Sequence, residues 1–150
     1  SSKILDLGCK KGFIMKDLKI LLPKAKVYGV EDHIYPIKCA EKEIKKKIIL
    51  SNYYDIPFKK NYFDLVIGFS SIYKYNFLDV VKTIKEINRV SKRSFITIAS
   101  YSNKRESEIF NKWTLLGTTV LKKKEWLELF KLTGYKGDYY FTTPTSLNLS

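Results

Sequence analysis

A doubly wound α/β fold, Rossmann-like with a mostly parallel sheet, is the class this sequence predicts, and three observations predict it. Strand and helix signals alternate five times, no internal repeat or low-complexity linker interrupts them, and the fourth strand is a continuous apolar run of the kind covered by helices on both faces. The expected strand order is 3-2-1-4-5, with a further C-terminal strand beyond the fifth, and ligands are expected at the carboxyl ends of the strands. At 150 residues the chain suits one domain with a sizeable core, so residues 1–150 are read as a single domain.

The elements follow in order. Lys3 to Leu7, KILDL, reads as a short buried strand that runs into Gly8 and Gly12. A helix comes next, with Ile14, Leu18, Leu21 and Leu22 at helical spacing and Pro23 as its stop. Lys26 to Val30 is the second strand, closed by Glu31 and Asp32. Pro36 suits the first turn of a helix whose buried stripe is Ile37, Ala40 and Ile44. Lys47 to Leu50 is the third strand, and FDLVIGF, from Phe63, contains the fourth. Asn76 with Asp79 three residues on is a helix cap, and the stripe behind it is Phe77, Val80, Val81, Ile84, Ile87. Ser94 to Ala99 is the fifth strand. Lys122 to Thr133 is a helix with Trp126, Leu129 and Phe130 on one face and Gly134 at its end, and Tyr139 to Thr142 is the sixth strand. The stretch from Tyr101 to Leu121 is long for a connection and is read as a lid over the substrate.

Composition excludes several functions. The net charge is +13, but only Arg89, Arg93 and Arg105 are arginines, so the residue type that grips phosphate and guanine in bidentate fashion is scarce. A lysine-rich solvated surface is the expectation, with nucleic acid bound weakly and without sequence preference. Cys9 and Cys39 are the two cysteines and His33 the one histidine, too few and too scattered for a zinc site. No apolar run approaches the length of a membrane span, and a lysine-rich αβ chain without a signal peptide is expected in the cytoplasm with both thiols reduced.

The turn after the first strand, Asp6-Leu7-Gly8-Cys9-Lys10-Lys11-Gly12, carries the chemistry. Gly8 lets main chain approach a ligand, Gly12 lets the helix pack close, and the helix amino end offers unpaired N–H groups. The dinucleotide fingerprint G-x-G-x-x-G matches at one glycine of three. The spacing D-x-G-x-G-x-G of class I S-adenosylmethionine (SAM) dependent methyltransferases matches at Asp6, Gly8 and Gly12. From ILDLGCKKGF onward the chain resembles that family, and within it the type 11 small-molecule branch, across nearly its whole length. VYGVEDHIYPIKCA, SNYYDIPFKKNYFDLVIG, IKEINRVSKRSFITIA and EWLELFKLTGY resemble its later blocks in order and spacing.

The resemblance implies SAM as cofactor, lying across Gly8, Glu31, Asn52 and Phe69. Glu31 would take both ribose hydroxyls, Asn52 the adenine amino group and the Tyr53 main-chain N–H the adenine ring. Asp6, Cys9, Lys10, Gly12 and Asp32 complete the implied contacts. Two departures stand out: Lys10 replaces the middle glycine of the motif, and the family's amino-terminal helix does not precede the first strand. Methyl transfer from a sulfonium is an in-line displacement that demands alignment and dryness, and no obligatory catalytic residue follows. His33, Tyr73, Tyr101 and Asp138 are candidates for a base, and Tyr73, Tyr101 and Trp113 for substrate contacts. A small-molecule acceptor is expected, because Gly68-Phe69-Ser70-Ser71 after the fourth strand lacks the residues with which amino-group methyltransferases grip a base. RNA or protein methylation, and a methyltransferase-like binding domain without turnover, stay open.

Overall fold

Strand β1 (Lys3–Leu7) lies inside the sheet, between β2 (Lys26–Glu31) and β4 (Leu65–Phe69), both parallel to it. The computed structural model describes residues 1–114 and 117–149. β3 (Ile48–Leu50) flanks β2, and β5 (Ser94–Tyr101) flanks β4, which gives the expected order 3-2-1-4-5 with every pair parallel. The outer side of β5 is shared. β6 (Leu121–Lys122) pairs with its carboxyl end at Ser100 and Tyr101, and β7 (Asp138–Thr142) pairs in parallel with Phe95 to Ala99. β7 is the sixth strand read from the sequence.

Helices cover the sheet in two groups. On one side α1 (Phe13–Leu21), α2 (Ile34–Lys38) and α3 (Lys42–Lys45) enclose a core of Cys9, Met15, Val27, Ile37, Ala40, Ile44 and Ile48. On the other, α4 (Phe77–Val90) and α6 (Lys123–Thr133) bury Val80, Ile84, Ile87, Trp126, Leu129 and Phe130 against Leu5, Leu7, Val30, Val66 and Ile96. Alternation along β2 separates the groups, since Val27 faces the first and Tyr28 and Val30 the second. Asn76 accepts the N–H of Asp79 and caps α4, and Gly134 ends α6 in the left-handed conformation, both as expected. Trp126, fully buried, donates its indole N–H to the Ala99 carbonyl and ties α6 to β5.

Three local expectations are corrected. The buried residue of α1 is Met15, with Leu18 half-buried, while Ile14, Leu21 and Leu22 face solvent. The rotation of α1 is set by Gly29: a Cβ there would meet Met15 Sδ at 2.6 Å and Cys9 Sγ at 2.5 Å, so the missing side chain of β2 is the socket for Met15. The helix expected around Pro36 is two short ones, α2 and α3, although Ile37, Ala40 and Ile44 are buried as foreseen. The stretch from Tyr101 to Leu121 holds a further helix, α5 (Lys104–Trp113), capped by Asn103 on the N–H of Glu106. Residues 115 and 116 of that expected lid lie outside the described residues.

Candidate functional site

Between β1 and α1 the chain turns in five residues, and three positive φ angles make the turn: Gly8 at 82°, Lys10 at 51° and Gly12 at 78°. Gly8 and Gly12 fit because they lack a Cβ. One added at Gly8 would sit 2.5 Å from Ser71 Cβ, and one at Gly12 2.3 Å from Ile44 Cγ2. The turn is fastened to β2 by the N–H groups of Gly8 and Cys9, which both donate to the Val30 carbonyl, and by the Lys10 N–H, which donates to Glu31 Oε2 at 2.9 Å.

Glu31, at the carboxyl end of β2, is 2% exposed and accepts four hydrogen bonds. Oε2 receives the Lys10 N–H and the Tyr53 hydroxyl, and Oε1 receives the N–H groups of Asp32 and His33. Two residues before Gly8, Asp6 is equally buried, and its Oδ2 has no partner among the described residues. Burial, reinforced by the charge of Glu31, pushes the Asp6 carboxyl up to about 7. The Cys9 thiol is pushed up as well, first by burial and then by both carboxylates, so it is no nucleophile. Ser71 Oγ, also buried, likewise has no partner among the described residues.

The other site residues fall into place around this centre. Asp32 receives Lys74 Nζ at 2.6 Å and the Tyr75 hydroxyl; burial pulls its carboxyl up, and those two bonds outweigh it and hold it below its ordinary value. Tyr53 is 1% exposed, and its main-chain N–H donates to the Tyr75 hydroxyl at 3.3 Å. Asn52 is exposed beside it, and its carbonyl accepts the Asp55 N–H. Phe69, 40% exposed, ends β4 and meets the Phe95 ring edge to face. Lys10 points its side chain into solvent, and His33 is exposed.

The substrate candidates are not gathered in one pocket. Tyr73 lies in the 3-10 turn Ile72–Lys74 after β4, and its carbonyl accepts the N–H groups of Thr118 and Thr119. Tyr101 ends β5. Trp113 ends α5 and lines a cavity of about 550 Å³ with Ile109, Leu149, Arg105 and Lys112, to which neither tyrosine contributes. Asp138 starts β7 opposite Phe95, at the amino edge of the sheet, which removes it as a base for chemistry near Gly8.

The fit to SAM divides. An unpartnered buried carboxylate oxygen on Asp6 suits a cationic amino group. The ribose end does not fit as the side chains stand, because a carboxylate offers about four acceptor positions and those of Glu31 are all taken. Sequence reasoning missed Lys74 and Tyr75. Their partner Asp32 is more than 40 positions away, and no spacing rule connects them.

Lys10→Gly is expected to stabilise the fold by up to about 1 kcal/mol, the left-handed strain relieved less the entropy that glycine adds to the unfolded chain. With the ammonium in solvent, SAM affinity should be unchanged by calorimetry. Weaker binding would show that Lys10 holds an anionic part of a ligand.

The sequence profile of a family described as a methyltransferase domain, type 11, matches residues 5–97. Over 109 residues the chain is 31% identical to the ribosomal RNA small subunit methyltransferase C of Buchnera aphidicola, covering 65% of this chain and 32% of that protein. Over 92 residues it is 34% identical to the malonyl-acyl-carrier-protein O-methyltransferase of Legionella pneumophila, covering 59% of this chain and 32% of that one. The chain thus spans about a third of the length of these curated relatives. The solved YcgJ protein of Bacillus subtilis superposes with a TM-score of 0.72 over 89% of this chain and 61% of its own, at 16% identity, a likeness of fold. Among the described residues no helix is long and apolar enough to cross a membrane, and no group of three or more His, Cys, Asp or Glu could hold a metal ion.

Proposed function

This chain belongs to the type 11 methyltransferase domain family, class I and SAM-dependent, and from that premise we propose that it methylates a small-molecule acceptor at the carboxyl edge of its sheet. Residues 1–150 act in this reading as one donor-binding domain. The chemistry a bound donor supplies is a methyl group on a sulfonium, a good leaving group, so the chain's own residues align, exclude water and balance charge. Gly8 and Gly12 bring main chain and the amino end of α1 to the edge. Asp6 and Glu31 supply negative charge to a site meant for a cation, and Phe69 offers an exposed ring face beside it.

The observation that carries the acceptor class is the end of β4. Phe69-Ser70-Ser71 stands there, with Ser71 buried against Gly8, and no Asn or Asp followed by prolines and an aromatic is present to grip a base amino group. RNA is the second reading, favoured by the +13 charge, and of the two curated relatives named above one is named for ribosomal RNA and the other for an acyl-carrier-bound malonyl group. A salt titration separates them, because attraction to phosphate through lysines releases counterions and fades steeply. RNA and DNA binding should fall together toward physiological salt, while a labelled methyl group passes from SAM to a small apolar or ring-bearing acceptor. One RNA that keeps nanomolar affinity there and takes up the label would replace the small-molecule reading.

A further inference from the structure

We propose that Tyr53 and Lys74 form a latch over Glu31 that SAM must displace, so that these two residues set how tightly and how fast the donor is taken up. The proposal rests on the reading of Glu31 as the ribose ligand.

Tyr53 is held at three points. Its hydroxyl donates to Glu31 Oε2 at 3.3 Å and accepts from Lys74 Nζ at 3.1 Å. Its ring lies under the same ammonium, 4.3 Å from the ring centroid. Its main-chain N–H donates to the Tyr75 hydroxyl, which in turn donates to Asp32. Lys74 closes the circuit by its ion pair to Asp32, whose side chain is 8% exposed. The Tyr53 hydroxyl thus holds one of the acceptor positions on Glu31 that a ribose hydroxyl would use, and it comes within 3.1 Å of where a Cβ on Gly8 would stand.

The bolt is anchored from behind. The carbonyls of Tyr73 and Tyr75 accept three bonds from Thr118 and Thr119, so the turn carrying Lys74 is tied to these two threonines. A ribose hydroxyl that takes the acceptor position held by Tyr53 on Glu31 Oε2 must first expel the Tyr53 hydroxyl, and every contact that holds Tyr53 in place lowers the fraction of molecules open to the donor.

The test measures S-adenosylhomocysteine binding to the full chain by calorimetry and stopped flow. Tyr53→Ala removes the plug and Lys74→Met removes the bolt while keeping its stem. Affinity should rise about tenfold in the first and severalfold in the second, as a larger open fraction requires. The wild-type binding rate should level off with ligand concentration, and that of Lys74→Met should keep rising linearly. Circular dichroism checks the fold, and if Tyr53→Ala does not fold, Lys74→Met decides alone. Unchanged or weaker binding in the folded variants overturns the latch and makes Tyr53 part of the donor's bed. Absence of binding in wild type and variants alike overturns the donor reading and the latch with it.

Discussion

Glu31→Ala is expected to destabilise the fold by about 4 kcal/mol and to abolish donor binding. Four donors end on this carboxylate, and removing it leaves the N–H groups of Lys10, Asp32 and His33 and the Tyr53 hydroxyl without their acceptor. A buried donor left unpaired costs about 1–3 kcal/mol. The sum is reduced because His33 is exposed enough for water to reach and because Asp6 loses a repelling neighbour. Urea unfolding of the variant beside Glu31→Gln, which keeps the side chain's shape and one acceptor oxygen, measures the effect, and the glutamine variant should lose less. A loss under about 1 kcal/mol in the alanine variant would show that water replaces the carboxylate and that the turn is held by Gly8 and Cys9 alone.

The second large effect is a pH dependence centred on Asp6. Its folded value, about 7, stands above the ordinary value of an aspartate, so between the two the folded state holds a proton that the unfolded state has released. Stability is therefore greatest on the acid side of this window and falls as pH rises from about 4 to about 7, by on the order of 4 kcal/mol in all. Asp6→Asn should flatten that slope. Asp32 and Glu86 work in the opposite sense. Their folded values lie below the ordinary ones, held there by Lys74 and Tyr75 and by Arg89 and the Ile56 N–H, and their stabilisation is lost only at lower pH. A wild-type stability that rises from pH 5 to pH 7, or an Asp6→Asn variant with the wild-type slope, would refute the assignment.

What the sequence revealed depended on whether a rule of local spacing was at stake. β1 was legible residue for residue, because a glycine turn must follow a buried strand that points at it. α4 was legible from Asn76 and Asp79, and the same signal at Asn103 and Glu106 marks α5, where a charged, weakly apolar segment hid the helix behind the expectation of a lid. The rotation of α1 was not legible. Its apolar residues outnumber the places the sheet offers, and the hole above Gly29, a tertiary feature, selects Met15 over Ile14. The site divided along the same line. Gly8, Glu31 and Tyr53 were found by motif and do meet, whereas Lys74 and Tyr75 reach Asp32 only because β4 lies next to β1 in the folded sheet.

The shared outer side of β5 has a bearing on solubility. β7 has no strand pairing beyond β5 among the described residues, so a row of main-chain donors and acceptors runs along Asp138–Thr142, with Tyr139 and Tyr140 about half exposed on the same short strand. Such an edge is a template for a strand from a second molecule, and unlike chains that guard their edges with bulges or prolines, this one has a β-branched and aromatic edge strand, DYYFT. Charge acts against such pairing at long range. At +13, two molecules repel before their edges meet, and that repulsion is screened over about 8 Å at physiological ionic strength. The lysine excess thus opposes edge-to-edge approach at low salt, and raising the salt screens that repulsion and brings the β7 edges, unpaired among the described residues, within reach of one another.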